Sequence, residues 1–364
     1  MSRAPRVLMT ADAVGGVWRY ALDLTRALAA GGGEVLLVTM GPRPGRDQVA
    51  EAEAIDGLAL VESDFELEWM DDPWDDVDRA GAWLLEVDRS WWPDVVHLNG
   101  YCHGGLPWSA PVVVAGHSCV ASWWQAVHGR PAPPEWDEYR RRVRSGLAAA
   151  DLVVAPTRAM LADLGRHHGP LPRARMIPNG VDARRYRAHP KERVALCVGR
   201  PWDESKNVAA LAGIASDLPW PVRLVGETAH PSGRPTAHLE GVACLGPRPH
   251  ADVVEQMARA AVYVHPARYE PFGLSVLEAA LSGCALVLAD IASLREVWGD
   301  AALYALPDDH AALRGALTRA MTDAPLRGRL VERSRDRARR LTAAAMAERY
   351  RRLYDDVRTI GVRA

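Results

Sequence analysis

Short runs of β-branched and aliphatic residues alternate with stretches of helical periodicity along most of the chain. Because strands that alternate with helices build parallel sheets from βαβ units, this order predicts an α/β fold. A turn-rich stretch from Ile177 to Pro190 interrupts the pattern, and 364 residues exceed the usual size of one domain. The sequence therefore predicts two doubly wound domains. The predicted strands are Arg6–Thr10, Glu34–Thr39, Val95–Leu98, Val112–Ala115, Leu152–Ala155, Val194–Val198, Val222–Val225, Val242–Leu245, Val262–His265 and Ala285–Leu288.

The predicted boundaries follow from the same pattern. The first domain spans residues 1–180 and the second spans 181–341, and a last helical segment covers 342–364. Thr157 is a plausible N-cap for a helix over Arg158–His167. The tail from Leu326 to Val357 is helical in pattern and is expected to break near Thr342.

Composition excludes several classes of protein. The net charge of −2 gives no whole-protein case for binding nucleic acid. The chain shows neither a signal-peptide core nor an apolar run long enough for a membrane span, so a cytoplasmic location is expected. The five cysteines occur singly, which predicts reduced thiols and neither a disulfide framework nor a zinc site. They are Cys102, Cys119, Cys197, Cys244 and Cys284.

Charge is distributed unevenly along the chain. Residues 51–100 contain 15 acidic residues against two arginines, whereas residues 327–358 contain 11 arginines against five acids. Charge runs usually form solvated faces, and two faces of opposite charge attract one another. A basic tail that touches anionic lipid head groups is the sharper interpretation, so peripheral membrane contact stays open.

The most informative segment is Arg268-Tyr-Glu-Pro-Phe-Gly-Leu-Ser-Val-Leu-Glu278, which follows a predicted strand. A loop with Glu270 and Gly273 then leads into a helix that is expected to begin at about Leu274. Ligands of open α/β sheets bind at the carboxyl ends of strands, and the first N–H groups of a helix favour a phosphate. Glu278 lies about one turn into the helix, near enough to reach a sugar hydroxyl beside that phosphate.

Two further strand–loop–helix segments carry groups that suit a nucleotide. Val198-Gly-Arg-Pro-Trp-Asp-Glu-Ser-Lys-Asn207 offers Arg200 as a planar fork of donors and Lys206 as a point charge. Asp12-Ala-Val-Gly-Gly-Val-Trp18 is a glycine-pair turn without the three-glycine fingerprint of dinucleotide sites. Taken separately, Arg200 and Lys206 also fit surface charges, and Glu278 also fits an exposed helix residue.

Together these segments resemble the retaining glycosyltransferases of family 4. The resemblance extends from Gly15 to about Tyr354, and it implies the GT-B fold. In that fold two Rossmann-like domains face a central cleft, with the acceptor on the N-terminal domain and the nucleotide-sugar donor on the C-terminal domain. The final helix, residues 342–364, is then expected to pack back on the N-terminal domain. The residues that carry the resemblance are Gly15-Gly16, Ile177-Pro-Asn-Gly-Val-Asp182, Gly199-Arg200, Lys206, Glu270-Pro-Phe-Gly-Leu, Glu278 and Ala279-Ala-Leu-Ser-Gly283.

The resemblance also implies a role for each matching residue. Arg200 and Lys206 would bind the donor diphosphate, which Gly15 and Gly16 would approach from the opposing domain. Glu278 would hold ribose hydroxyls. Glu270 would lie beside the transferred sugar, and backbone N–H groups would come from Phe272, Gly273 and Leu274. His117 matches the active-site histidine of the family, although the residues alone also fit a satisfied loop histidine.

Two departures from the family pattern concern the donor loops. Asn207 follows Lys206 where the family often has glycine, which leaves the shape of that loop open. The segment from Gly226 to Arg234 lacks the usual second glycine soon after the first, and this loop often lies near the base. The identity of the nucleotide is therefore not readable from the sequence.

The function implied is transfer of a sugar, with retention, from a nucleotide-sugar donor to a hydroxyl of a saccharide, lipid-linked or natural-product acceptor. UDP- and GDP-sugars are the first expectations. The enzyme would belong to carbohydrate biosynthesis and need neither a metal nor a cofactor beyond its donor substrate. A nucleotide-sugar-binding protein without transfer activity and a nucleotide-sugar epimerase stay open as alternatives. The oligomeric state is not predicted.

Rare and common side chains add two hypotheses. Of 13 tryptophans, ten lie in the first domain, where most would serve core packing. Trp108, Trp123 and Trp124 lie close to His117 in sequence and are candidate stacking faces for a carbohydrate acceptor.

Only Lys191 and Lys206 are lysines among 44 basic residues. We therefore expect that arginine is not tolerated in place of Lys206.

Overall fold

The computed structural model describes residues 4–228 and 239–361. The strands are β1 (Arg6–Asp12), β2 (Glu34–Met40), β3 (Leu58–Glu62), β4 (Val95–Leu98), β5 (Val112–Ala115), β6 (Leu152–Ala155), β7 (Ala174–Met176), β8 (Glu192–Val198), β9 (Val222–Val225), β10 (Val242–Cys244), β11 (Ala260–His265), β12 (Ala285–Ala289) and β13 (Ala302–Ala305). The α-helices are α1 (Gly16–Ala29), α2 (Arg46–Glu53), α3 (Trp74–Trp91), α4 (Val120–His128), α5 (Asp137–Ala149), α6 (Arg158–His168), α7 (Ala209–Ala212), α8 (His250–Arg259), α9 (Leu274–Leu281), α10 (Ala292–Trp298), α11 (His310–Thr322), α12 (Ala324–Ala338) and α13 (Ala343–Gly361).

The chain forms two compact units, each with its own sheet. Unit 1 comprises Met1–Ser122, Pro131–Gly180 and Ala343–Ala364, so the last helix belongs to it. Unit 2 comprises Trp123–Arg130 and Val181–Thr342. One of the points at which the chain passes between the units, from Ser122 to Trp123, therefore lies inside α4.

Unit 1 is built on a seven-stranded parallel sheet in the order β3-β2-β1-β4-β5-β6-β7. The order reverses at β1, where Val7 pairs with Val35 of β2 on one side and with Val95 of β4 on the other. Ligands of such sheets bind beyond the carboxyl ends of the strands that flank this reversal. The segments that follow β1 and β4 are therefore the expected binding edge of unit 1.

Unit 2 repeats the arrangement with six parallel strands in the order β10-β9-β8-β11-β12-β13. Its reversal lies between β8 and β11, where Leu196 pairs with Tyr263. The sheet is covered on both faces. On β11, Tyr263 packs into one hydrophobic cluster, whereas Val262 and Val264 pack into the other.

The predicted two-domain α/β fold is confirmed, and the ten predicted strands are present with ends shifted by two residues at most. The predicted N-cap is also confirmed, because the Thr157 hydroxyl accepts the Met160 N–H at 3.1 Å. The tail breaks after α12 and resumes at Ala343, as expected near Thr342. Three further strands of the structure, β3, β7 and β13, were not predicted.

The final helix is fastened to unit 1 by a buried polar cluster. The Tyr20 hydroxyl of α1 donates to the Tyr350 hydroxyl of α13 at 2.7 Å. On β4, His97 Nδ1 lies 2.6 Å from the Tyr354 hydroxyl, and its Nε2 lies 3.3 Å from Tyr20. All four side chains are buried. Their mutual hydrogen bonds offset the cost of removing these polar groups from water.

Glycine fixes the shape of the segment after β4. That segment forms a 3-10 turn at Cys102–Gly105, which packs directly on α5. A Cβ atom at Gly146 of α5 would lie 1.8 Å from the carbonyl oxygen of Tyr101, and one at Gly104 would lie 2.4 Å from the carbonyl oxygen of Gly146. Any other residue at either position would force the backbones apart.

Candidate active site

The loop after β11 places one carboxylate among three donors. Glu270 Oε2 lies 3.0 Å from Lys206 Nζ and 3.1 Å from His265 Nε2, while Oε1 accepts the backbone N–H of Gly273 at 3.0 Å. Because a carboxylate only accepts, both Lys206 and His265 donate to it. The cluster joins the loops at the ends of β8 and β11, the two strands that flank the reversal of the unit 2 sheet.

The charge state of this carboxylate follows from its neighbours. Burial alone would raise the pKa of Glu270, but the Lys206 charge and the His265 hydrogen bond outweigh burial and hold this pKa well below its ordinary value. Glu270 is therefore an ionised hydrogen-bond acceptor at neutral pH. It is not poised to donate a proton as a general acid.

The loop after β8 positions two cations. Asp203 accepts the Ser205 N–H and pairs with Arg200 at 3.1 Å, and the Arg200 guanidinium lies 4.8 Å from the centre of the Trp202 ring. The side chains of Arg200 and Lys206 are both partly exposed, 34% and 23%. Carboxylates and an aromatic ring therefore orient both cations while leaving them accessible to a ligand.

Asn207 resolves one departure from the family pattern. Its backbone is left-handed, with φ 52°, a conformation that glycine adopts freely and asparagine tolerates. The Asn207 amide donates to the carbonyl oxygens of Pro266 and Pro307 at 3.0 and 2.8 Å. The loop thus keeps the turn that a glycine would make and is tied to its neighbours in addition. Of the other departure, the Gly226–Arg234 loop, residues 229–234 lie outside the described residues.

Glu278 is buried in the first turns of α9, at 5% exposure, which disagrees with the interpretation of an exposed helix residue. Its Oε1 accepts the Tyr186 hydroxyl and faces His250 Nε2, both at 2.9 Å. Two donors on one oxygen fix the carboxylate in place. A buried carboxylate costs free energy unless such partners are present, so this one is a built feature of the fold.

The start of α9 combines a turn and a core contact. Gly273 is the N-cap of the helix and has a φ of 87°, a left-handed conformation that favours glycine. The Phe272 side chain is buried in the main hydrophobic cluster of unit 2, and the helix begins at Leu274. The N–H of Gly273 is directed at Glu270, so this carboxylate already interacts with the amino end of the helix.

In unit 1, the turn after β1 leads into α1. Asp12 Oδ1 accepts the Val14 N–H at 2.8 Å, and Gly15 has a φ of 89° immediately before the helix begins at Gly16. A Cβ atom at Gly15 would contact nothing within 4 Å. Glycine is therefore required here for the backbone angle and leaves the helix end accessible.

His117 follows β5 and is held by Asn99. Asn99 Nδ2 donates to the carbonyl oxygen of Thr10 at 2.6 Å, which turns Oδ1 toward His117 Nε2 at 2.8 Å. His117 must therefore donate through Nε2, so its Nδ1 is the acceptor in the neutral ring. The Tyr20 ring packs on it, with centroids 4.3 Å apart. Burial lowers the pKa of His117 to about 4, so the neutral form prevails at physiological pH.

The three tryptophans named as acceptor faces differ in environment. Trp108 packs against the core of unit 1 and donates its indole N–H to the carbonyl oxygen of His103 at 2.9 Å, which accounts for it without an acceptor. Trp123 and Trp124 are half-buried and contact each other and His128. Their role in acceptor binding stays a prediction.

Several residues at these sites were not selected from the sequence. Asp203, His265 and Asn99 each orient a selected residue. Asn99 carried a signal, since it is one of only three asparagines, and His265 ends a predicted strand at the binding edge. Tyr186 and His250 are distant from Glu278 in sequence, and no local pattern points to them.

Other sequence expectations concern ligands and membranes. Within residues 4–228 and 239–361, no group of three or more His, Cys, Asp or Glu side chains is arranged to hold a metal ion. None of the helices searched in that part of the chain is long and apolar enough to cross a membrane. In the basic tail, Arg333 and Arg337 pair with Asp300, and Arg358 pairs with Asp94 of the acidic run. Membrane contact by this tail stays a prediction.

Two parallel doubly wound sheets, with cations and fixed carboxylates at the carboxyl ends of the central strands, define a two-domain enzyme of the GT-B type. Two family models match the chain, Glycosyltransferase Family 4 over residues 14–185 and Glycosyl transferases group 1 over residues 192–323. A D-inositol 3-phosphate glycosyltransferase of Xylanimonas cellulosilytica is 31% identical, over 96% of this chain and 97% of the relative. The chain belongs to the family 4 glycosyltransferases, which take a sugar from a nucleotide-sugar donor.

Two further comparisons agree with this assignment. A glycogen synthase of Mycobacterium tuberculosis is 28% identical, over 89% of this chain and 86% of the relative. Among solved structures, Anabaena HepE in complex with UDP and glucose superposes with a TM-score of 0.74 at 16% identity, over 97% of this chain and all of that chain. The structural likeness supports the fold.

Proposed function

We propose that the protein is a retaining glycosyltransferase that moves a sugar from a UDP- or GDP-sugar to an acceptor hydroxyl, with no metal ion. The observation that carries the proposal is the cluster of Lys206, His265 and Glu270. It sets a cation suited to a diphosphate beside an ionised carboxylate suited to a sugar hydroxyl. Both groups lie at the edge of the sheet where α/β proteins bind ligands.

Arg200 and Lys206 are assigned to the diphosphate. Each is paired with a carboxylate, Asp203 or Glu270, which holds its nitrogens in place. Negative charge grows on the leaving phosphate as the glycosidic bond breaks, so fixed cations stabilise the transition state more than the ground state. These two side chains supply the positive charge that a divalent cation supplies in other enzymes.

Glu270 and Glu278 are assigned to hydroxyl groups. Glu270 is ionised, so it accepts from a hydroxyl of the transferred sugar. The two contacts of Glu278 are both to Oε1, and ribose hydroxyls would be bound by Oε2. Carboxylates that are already fixed in place accept these hydroxyl hydrogen bonds without reorganising, which orients the donor for reaction.

The reaction is proposed to proceed on one face of the sugar. The bond from the anomeric carbon to the β-phosphate oxygen breaks, and the nucleoside diphosphate leaves with the electron pair. The acceptor oxygen bonds to the same face of that carbon, and its proton passes to an oxygen of the departing phosphate. The neutral His117 is assigned to a hydroxyl of the donor sugar, from which it would accept a hydrogen bond at Nδ1, and the Gly15–Gly16 turn is assigned to the diphosphate.

The base is the least constrained part of the donor. HepE was crystallised with UDP and glucose, which favours a UDP-sugar by analogy of fold alone. The loop that the family places near the base includes residues 229–234, outside the described residues. UDP-glucose is therefore the first donor to test, followed by GDP-mannose.

The proposal is tested first by donor binding. Thermal shift with UDP-glucose, GDP-mannose and ADP-glucose should give a rise in melting temperature with one of them. Lys206→Ala should abolish that rise, whereas Lys191→Arg, a conservative change at the other lysine, should keep it. An unchanged rise in Lys206→Ala would overturn the diphosphate assignment.

Product analysis tests the rest. With the donor so identified, mass spectrometry of reactions with a panel of acceptors should show addition of one sugar. Proton NMR of the product should show the anomeric configuration of the donor, and added EDTA should leave the rate unchanged. Inverted configuration would refute retention, and loss of activity in EDTA that Mg²⁺ restores would refute metal independence.

A further inference from the structure

A pocket in unit 1 lies at the reversal of the seven-stranded sheet. Its walls are the ends of β1 and β4, residues 10–12 and 98–100, together with Met40 at the end of β2, the loop at residues 66–69 and His103. Its interior measures about 50 Å³, which is more than the roughly 10–15 Å³ needed to hold one water molecule. A space of that size admits one edge of a sugar ring, with the remainder of the ring at the mouth.

The mouth offers an aromatic surface. Trp69 lines the pocket and remains 45% exposed, whereas Trp108 is packed against the core. The exposed indole therefore sets an apolar face directly beside the polar groups of the pocket. The flat face of an indole suits the C–H face of a sugar ring, and its burial would add favourable apolar contact.

Polar groups inside the pocket are fixed in position. Glu68 accepts the backbone N–H groups of Tyr101 and Cys102 at 2.8–3.0 Å. Asn99 lines the pocket and also holds His117, so the pocket adjoins the histidine that the proposed function places beside the donor sugar. A few fixed polar groups beside an aromatic face are the composition of a small-molecule site.

The charge of the pocket selects among ligands. Asp12, Glu66 and Glu68 belong to its twelve lining residues, and none of those twelve is lysine or arginine. Carboxylates in the pocket wall repel a phosphate or carboxylate group of a bound ligand and attract an ammonium group. They also accept hydrogen bonds from neutral hydroxyl groups.

The geometry points to this pocket as the acceptor subsite, with Trp69 as the stacking face, for a neutral or amino-substituted sugar or cyclitol that carries no phosphate. The inference rests on the proposed function, since it takes His117 to mark the donor sugar. It adds the substrate class of the acceptor to that function, because it excludes a phosphorylated acceptor.

Saturation-transfer NMR tests the pocket without the natural acceptor. The probes are D-glucosamine, D-glucose and D-glucose 6-phosphate, each added to the full chain in the presence of UDP. We expect transfer to the ring protons of glucosamine and glucose, and affinity for the phosphorylated probe at least tenfold weaker than for glucose. Trp69→Ala should weaken glucose binding about tenfold. Trp92→Ala, at an exposed tryptophan outside the pocket, should leave it unchanged.

A charge change separates selectivity from stacking. Glu66 is exposed, and Glu66→Lys should raise the affinity for glucose 6-phosphate at least fivefold relative to that for glucose. Equal binding of both sugars by the unaltered protein, no binding of any probe, or no effect of Trp69→Ala would overturn the inference. Thermal shift with the nucleotide-sugar panel on the same samples distinguishes failure of this inference from failure of the proposed function. If a nucleotide-sugar still raises the melting temperature but the sugar probes do not bind as expected, only the acceptor subsite is refuted.

Discussion

The ammonium nitrogen of Lys206 lies 3.0 Å from Glu270 Oε2, on a carboxylate that also accepts from His265 and from the backbone of Gly273. This contact explains how a loop from β8 and a loop from β11 present their charges together. A compact ammonium fits within such a cluster, whereas a guanidinium is larger and planar. Because arginine replaces lysine almost everywhere else in this chain, Lys206→Arg tests whether the shape of the cation matters at this position.

Lys206→Arg retains the charge and changes its shape. We expect kcat to fall about 10²-fold, since misplacing one fixed donor at a developing charge typically costs about 10²–10³ in rate. Steady-state kinetics with the identified donor measures the effect. A fully active Lys206→Arg enzyme would show that position 206 requires only a positive charge and that the identity of the cation does not matter there.

Lys191 has a structural role that the sequence did not reveal. Its ammonium donates to the carbonyl oxygens of Met257, Ala258 and Ser282 at 2.7–3.2 Å, at the ends of α8 and α9. Lys191→Met should lower the free energy of unfolding by about 2 kcal/mol or more, because buried carbonyls lose a charged donor. Urea denaturation measures this change. The rise in melting temperature that the donor induces should persist in Lys191→Met, which separates its role from that of Lys206.

The fold was predictable because buried parallel strands are nearly continuous apolar runs. Two of the three missed strands lack that signal, and the third, β13, is a four-residue apolar run without a β-branched residue. β3 is partly exposed along its length, and β7 has only three residues with a central arginine. All three lie at an edge of their sheet. Whether an edge segment forms a strand depends on pairing with a neighbouring strand, which is a tertiary effect that the local sequence does not encode.

The site was predictable where it lies in contiguous motifs. Glu270 and Glu278 follow from one segment, and His265 lies just before it, but Tyr186 and His250, the partners of Glu278, come from other parts of the chain. Trp69 was also missed, because ten tryptophans in the first half look alike until packing separates the exposed ones from the buried ones.

Asn99 controls which nitrogen of His117 carries the proton. Asn99→Asp would place a carboxylate within 2.8 Å of His117 Nε2 and favour the imidazolium form, so the pKa of His117 should rise from about 4 toward neutrality. We expect kcat/KM to decrease as the pH falls from 8 to 6 in the variant and to stay level in the unaltered enzyme. The pH profile of kcat/KM measures this difference.

The matched control for that prediction replaces the titrating group itself. The double variant Asn99→Asp with His117→Gln retains a side-chain acceptor but has no imidazole at this position. Its pH profile should be flat over the same interval at a lower rate. A sloping profile in the double variant would assign the titration to another group.

The buried His97 predicts how the free energy of unfolding varies with pH. Burial lowers the pKa of His97 to about 3, with His117 adding to the effect, against an ordinary value of about 6.5. Between these values the unfolded chain binds a proton that the native protein does not, so stability is full above pH 6.5 and falls as the pH decreases toward 3. Protonation of His97 alone should lower the free energy of unfolding by about 2 kcal/mol between pH 6.5 and pH 5, at about 1.4 kcal/mol per pH unit.

Urea denaturation across this interval measures how the free energy of unfolding changes with pH. His97→Gln should reduce that slope by the equivalent of about one bound proton. Equal slopes in the two proteins would show that His97 is not kept neutral by the cluster with Tyr20, Tyr350 and Tyr354.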